Sequence, residues 1–181
     1  MKENAMNQSR KTLRGSQRVT LSAMTISLTL ICVYLSSIVP AGRLGFLFLS
    51  SIFVAMLMVE RETALSVMAF IGTALLGLLI VNDKLMILPY VFLFGHFGIA
   101  KEYLERIQDR ILCWAVKLLY FNAALALMYF FTMHVLFPNL APGFPVYWLL
   151  IPAQAVFVLY DWLFTRVVHF YMDRIRRLII H

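Results

Sequence analysis

The sequence predicts an all-α integral membrane protein, a six-transmembrane-helix bundle with both termini on the cytoplasmic side. Three observations predict it. Hydrophobic residues make up 62% of the chain and charged residues 14%, against roughly 45–50% and about 25% in soluble domains. A chain of 181 residues cannot bury that much apolar surface in a core of its own, so the excess must face lipid. The apolar residues fall in six runs, several close to the roughly 20 residues that cross a bilayer, and the basic residues collect at one set of ends.

Residues 1–18 form a polar cytoplasmic tail carrying Lys2, Arg10, Lys11, Arg14 and Arg18. Residues 19–170 form the six-helix transmembrane domain. The first run, 19–39, is longer than the apolar centre of a cleaved signal peptide. It therefore reads as a retained helix, although "SSIVPAG" resembles a cleavage site. Pro40, Ala41 and Gly42 end it in a tight connection. The second run, 44–59, is closed by Glu60, Arg61 and Glu62, and the third, 64–81, by "NDK". Asn82 or Asp83 is placed to cap the fourth helix, which begins near Leu85. Helices two to four are short, so a Gly/Pro break or a re-entrant segment among them stays open. The fifth run is 111–137, the loop "PNLAPGFP" follows, and the sixth run is 146–170. Residues 171–181, "YMDRIRRLIIH", are a basic cytoplasmic tail.

The fourth run, "LPYVFLFGHFGIAKEYLERI", passes from apolar to charged without a breaker. It is expected to leave the membrane near Ala100 and continue as a cytoplasmic arm. Lys101–Glu105 and Glu102–Arg106 would pair at i,i+4, and Leu104, Ile107 and Ile111 would keep one apolar face.

Six spans place both tails on one side with the 60–62 and 101–110 connections. These four segments carry five, one, three and three Lys/Arg, twelve in all, whereas the other side has Arg43 and Lys84. The positive-inside rule makes the richer side cytoplasmic, in the cell (plasma) membrane. Lys117 and Arg166 fall inside spans near that side and can snorkel towards it. The net charge of +7 is accounted for by membrane orientation, and no nucleic-acid partner is expected.

The sixth helix holds the most informative polar pattern. Tyr147, Gln154 and Asp161 are spaced by seven and line one stripe, which Thr165 continues. Pro152 leaves the carbonyl of Trp148 without its intrahelical donor. An acid within a span costs about 2.5–3.5 kcal/mol on insertion scales and normally faces the bundle interior or a water-filled cavity. The stripe is either such a lining, an interior ion pair, or a hydrogen-bonded seam between helices. Lys117 lies at a depth comparable with Asp161 and is the predicted partner. His96, between Gly95 and Gly98, reads as a packed donor. On the first helix, Ser22, Thr25, Thr29 and Ser36 make a hydroxyl stripe. Ala23 and Ser27 make a small-xxx-small pair that lets backbones approach closely, within the chain or against another subunit.

No enzyme motif is present: no phosphate-binding glycine loop, HExxH or nucleophile elbow. Cys32 and Cys113 are at different depths, too far apart for a disulfide, and no Cys/His spacing suits a metal. No cofactor is expected. A small-molecule pocket, if the chain has one, should open outward. It would use Tyr147, Trp148 and Gln154, with Arg43 at the mouth and Asn82 and Tyr90 adding polar contacts.

Six short spans with both ends inside, and "SAMTIS" in the first, resemble the substrate-binding S subunits of energy-coupling-factor (ECF) transporters over the whole chain. The resemblance implies an S-component-like fold and a vitamin-like substrate held in the outer half. It also implies docking of the first helix, through Ala23 and Ser27, on a transmembrane coupling subunit that works with ATPases. The connection that roofs the pocket in that family is the short "PAGR" here. In size and hydropathy, and in the polar, tyrosine-rich "VFVLYDWLFTRVVHFY", the chain is also similar to the rod-shape-determining membrane protein D family. That alternative implies a non-catalytic scaffold partnered by wall-synthesis proteins.

Overall fold

A computed structural model describes residues 15–60, 62–136 and 147–172, with the side chains of 147–149 left out. All regular structure among the described residues is helical: α1 Gly15–Ile38, α2 Arg43–Val59, α3 Thr63–Ile80, α4 Lys84–Pro89, α5 Phe97–Leu104, α6 Arg110–Phe131 and α7 Tyr147–Phe170. They make six helices long and apolar enough to cross a membrane, the fourth being the composite Lys84–Leu104. The helix α1 begins at Gly15, inside the stretch expected to be a polar tail.

The fourth helix is broken where its sequence is least suited to continuous α-geometry. Pro89 has no N–H to give, so the ladder widens into a π-turn over Tyr90–Phe94, and the Gly95 N–H donates to the Tyr90 carbonyl at 2.7 Å. Gly95 and His96 turn the chain before α5. The two glycines flanking His96 are needed for approach. A Cβ on Gly95 would stand 2.7 Å from the Phe70 ring of α3, and one on Gly98 would stand 2.8 Å from the Ala55 Cβ of α2.

Two helix starts are capped by carboxylates. The Asp83 carboxylate accepts from Leu85 N at 3.0 Å to cap α4, and Asp109 accepts from Ile111 N at 3.0 Å to cap α6. Lys84 Nζ bonds the Val81 carbonyl at 2.9 Å, at the C-terminal end of α3.

The helix α2 is central, packing on α1, α3, α5, the π-turn and α7. Its Leu47 belongs to one core cluster with Val33, Val81, Ile87 and Tyr90. Its Ile52 and Ala55 belong to another with Phe97, Phe157 and Phe164. The hydroxyls of Thr25, Thr29 and Ser36 face inward on α1; Thr29 and Ser36 are satisfied by carbonyls of their own helix at 2.7 Å each. The outer faces carry large exposed apolar side chains such as Leu79, Ile111 and Ile151. Arg18 Nε meets Glu62 Oε1 at 2.8 Å, so the start of α1 and the α2–α3 turn lie at the same end. The α5–α6 connection and the C-terminal end of α7 share this end, which carries Arg18, Lys101, Arg106, Arg110, Lys117 and Arg166 among the described basic residues.

The expected arm beyond Ala100 is corrected. The helix stops at Leu104, residues 105–109 turn, and α6 starts afresh at Arg110. Lys101–Glu105 (2.8 Å) and Glu102–Arg106 (3.8 Å) do pair at i,i+4. Lys101 nevertheless points into the bundle, and Ile107 and Ile111 do not continue a helical face from Leu104. The physical reason is that α5 keeps its inward face, Phe97 and Gly98, against α2, and Lys101 is one turn further along that face.

Candidate functional site

At the basic end, three helices contribute one charged residue each to a shared interior point. Each residue stands one turn beyond an aromatic side chain that docks its helix. Lys101 follows Phe97 on α5, Lys117 precedes Phe121 on α6, and Asp161 lies between Phe157 and Phe164 on α7. Phe97, Phe157 and Phe164 are buried in one cluster, and Phe121 stacks on Phe157 with ring centroids 4.3 Å apart. Because α5 and α7 run towards the basic end and α6 runs away from it, the three charges reach the same level.

Lys117 Nζ is 3.1 Å from Asp161 Oδ2 and 2.8 Å from Glu105 Oε1. Lys101 Nζ contacts Asp161 Oδ1 and lies 2.8 Å from the same Glu105 oxygen. Lys101, Lys117 and Asp161 are only 4%, 5% and 4% exposed. Glu105 closes the cluster from the solvent side. Two ammonium groups are thus balanced by two carboxylates, which is what allows them to stay charged inside. Ring faces add to the balance: Lys101 Nζ is 5.7 Å from the Phe164 centroid and Lys117 Nζ 5.5 Å from that of Trp114. Burial pushes the Glu105 carboxyl up, but hydrogen bonds from Lys101 and Lys117 outweigh it and hold the group below the ordinary carboxylate value.

The cluster forms one wall of a cleft of about 660 Å³ between α6 and α7. The helices α6 and α7 meet mainly through side chains rather than by close backbone approach, and this leaves the space. A second, smaller cleft of about 260 Å³ lies between the fourth, fifth and sixth helices and is almost wholly apolar, with Leu93, Phe121, Met128 and Val156 among its lining.

Among the described residues expected to line an outward pocket, Gln154, Tyr90, Asn82 and Arg43 do not come together. Gln154 Nε2 donates to Asn122 Oδ1 on α6 at 2.7 Å. Tyr90 is fully enclosed by Val33, Leu47, Val81 and Ile87. Asn82 is exposed, and Arg43, at the first turn of α2, is half-buried. Tyr147 and Trp148 begin α7, but their side chains lie outside the described residues. Of the four whose side chains are described, Gln154, Tyr90, Asn82 and Arg43, none lines either cleft. The reason is rotational: packing of Phe157 and Phe164 turns the Gln154–Asp161 stripe towards α6, where Gln154 Nε2 meets Asn122 and Asp161 meets Lys117.

Of the two placements expected for Ala23 and Ser27, within the chain or against another subunit, packing within the chain is not the one observed. Both are exposed, and Ser27 Oγ bonds the Ala23 carbonyl at 2.9 Å. The neighbouring Thr25 and Thr29 take the inward face instead. His96 packs with its ring 5.6 Å from Phe70 and 5.7 Å from Tyr120, away from Asp161's lysine partners. Cys32 and Cys113 are free thiols. Among the described residues no group of His, Cys, Asp or Glu is arranged to hold a metal ion.

Lys101, Glu105 and Asn122 are the functional candidates that sequence reasoning missed. For Lys101 a signal existed, since it is four residues after Phe97 on the face that packs inward. Asn122 shows no pattern along its own helix, because its partner is supplied by α7. No family model, curated protein or solved structure matches this chain.

Proposed function

We propose that this chain is a non-enzymatic, multi-pass subunit of the cell membrane with both termini in the cytoplasm, acting as the small-molecule, vitamin-like substrate-binding subunit of a multi-subunit transporter. The supporting observation is the outward face of α1. Ala23 and Ser27, spaced for close backbone approach, are exposed rather than spent on packing within the bundle. That face suits docking on a transmembrane coupling subunit that works with ATPases. The orientation rests on the twelve-to-two distribution of basic residues, and the Arg18–Glu62 pair is consistent with it. Purification in mild detergent followed by mass spectrometry should recover an ATPase pair and a small molecule. Ala23→Leu with Ser27→Leu should abolish the copurification without unfolding the chain, since both positions are exposed. Unchanged recovery of partners with the double variant would overturn the docking role.

A second reading, a non-catalytic scaffold of bacterial cell-wall or cell-shape machinery, is favoured by a different observation. Gln154 is engaged by Asn122, and Asp161 by Lys101 and Lys117, so these two polar side chains are spent on links between helices. Recovery of wall-synthesis proteins with no small molecule in the same experiment would establish this reading over the first.

A further inference from the structure

Within the cluster, Lys101 and Lys117 are matched by Glu105 and Asp161. The same cleft is also lined by Arg110 and Arg166. Neither arginine makes an ion pair among the described residues, and Arg166 is engaged only by the Trp162 ring, 5.4 Å from its guanidinium. The cleft therefore carries two cationic groups in surplus. Apart from Thr165, its remaining wall is apolar, with Ala155, Val158 and Leu159 of α7 running from the charges towards mid-span, and Trp114 and Trp162 beside the arginines. Val158, Leu159 and Trp162 are exposed to the outside of the bundle, so the cleft is continuous with the face that would meet lipid.

We propose that this cleft is a binding site for an anionic phospholipid of the cytoplasmic leaflet. Its phosphate is held by Arg110 and Arg166 and its acyl chain lies on Val158 and Leu159. Arginine suits a phosphate diester because its fork donates two parallel hydrogen bonds. Basic pockets between membrane helices on the cytoplasmic side bind acidic headgroups, and tryptophan prefers the headgroup level. A free anion would engage the arginines alone, whereas a lipid also lays its acyl chain on the adjoining Val158–Leu159 wall. The balanced cluster behind the arginines keeps Glu105 and Asp161 from repelling the phosphate. The proposal rests on the membrane-spanning reading above, which the experiment tests separately.

The full chain, delipidated in detergent, is reconstituted into phosphatidylcholine vesicles containing either acyl-brominated phosphatidylglycerol or acyl-brominated phosphatidylcholine. In a Trp148→Phe background, quenching of tryptophan fluorescence reports bromine near Trp114 and Trp162, the two remaining tryptophans. Brominated phosphatidylglycerol should quench more strongly than brominated phosphatidylcholine at equal mole fraction. Arg110→Gln with Arg166→Gln should lower the preference roughly tenfold, whereas Arg106→Gln, outside the cleft, should leave it unchanged. Native mass spectrometry of the wild type should likewise retain phosphatidylglycerol over phosphatidylcholine, a readout that needs no variant to fold. Equal quenching by the two lipids, or loss of the preference in millimolar inorganic phosphate, would overturn the site while leaving the membrane reading intact. Failure to enter phosphatidylcholine vesicles at all would overturn both.

Discussion

Lys117 and Asp161 stand 3.1 Å apart in the bundle, and neither could remain charged there alone. The cost of desolvating each ion is several kcal/mol, recovered only when the partner and the surrounding hydrogen bonds are in place. Here Lys101 and Glu105 complete the set, so one charge on each of three helices ties their basic ends together.

Removing one charge should therefore cost more than removing a matched pair. Asp161→Asn leaves two buried ammonium groups facing one carboxylate and should destabilise by about 3–5 kcal/mol. Combining Lys117→Met with Asp161→Leu should recover a large part of that loss. Denaturant unfolding in detergent measures both, and additive single and double effects would show the two residues to be independent.

The depressed Glu105 carboxyl makes stability depend on pH in a stated direction. A group whose folded pKa is lowered contributes stability above its unfolded value, and that contribution disappears as pH falls through the folded value. Wild type should thus be more stable than Glu105→Gln at neutral pH. The difference should shrink as pH drops below the ordinary carboxylate range, about 4. Melting temperatures of the two proteins across pH 3 to 7 would show it, and a pH-independent difference would rule out the electrostatic origin.

Gly98 is required by contact rather than by backbone conformation. A side chain there meets Ala55 Cβ at 2.8 Å and the Phe164 ring at 3.3 Å. Gly98→Val should cost about 1–3 kcal/mol through overpacking, and Gly98→Val combined with Ala55→Gly should cost less. Thermal unfolding of the single and double variants gives the comparison.

The Gln154–Asn122 bond is the polar link between the last two helices above the charge cluster. Gln154→Leu leaves Asn122 Oδ1 without its donor and should cost about 1–3 kcal/mol, while Gln154→Leu with Asn122→Leu should be closer to neutral. Detergent stability is the readout, and an equal loss in both variants would place the cost in packing instead.

What the sequence determined by itself was whatever depends on neighbours along the chain. The six apolar runs set six helices, since length and hydropathy are summed locally. A cap at Asn82 or Asp83 and the i,i+4 pairing of Lys101 with Glu105 are likewise short-range, while only the structure places the Gly/Pro break among helices two to four at Pro89 and Gly95. Lys117 and Asp161 were marked as partners by depth, because rise per residue converts position in a run into height.

The tertiary structure alone decided how each helix is turned about its own axis. A helix presents several polar faces of similar merit, and burial of large aromatics selects among them. Phe97 and Gly98 brought Lys101 inside when its neighbours suggested a solvated arm. Phe157 and Phe164 pointed Gln154 at Asn122 instead of towards an outer pocket. Thr25 and Thr29 took the inner face of α1 and left Ala23 and Ser27 outside. Those rotations depend on side chains from other helices, whose contribution no single run of residues contains.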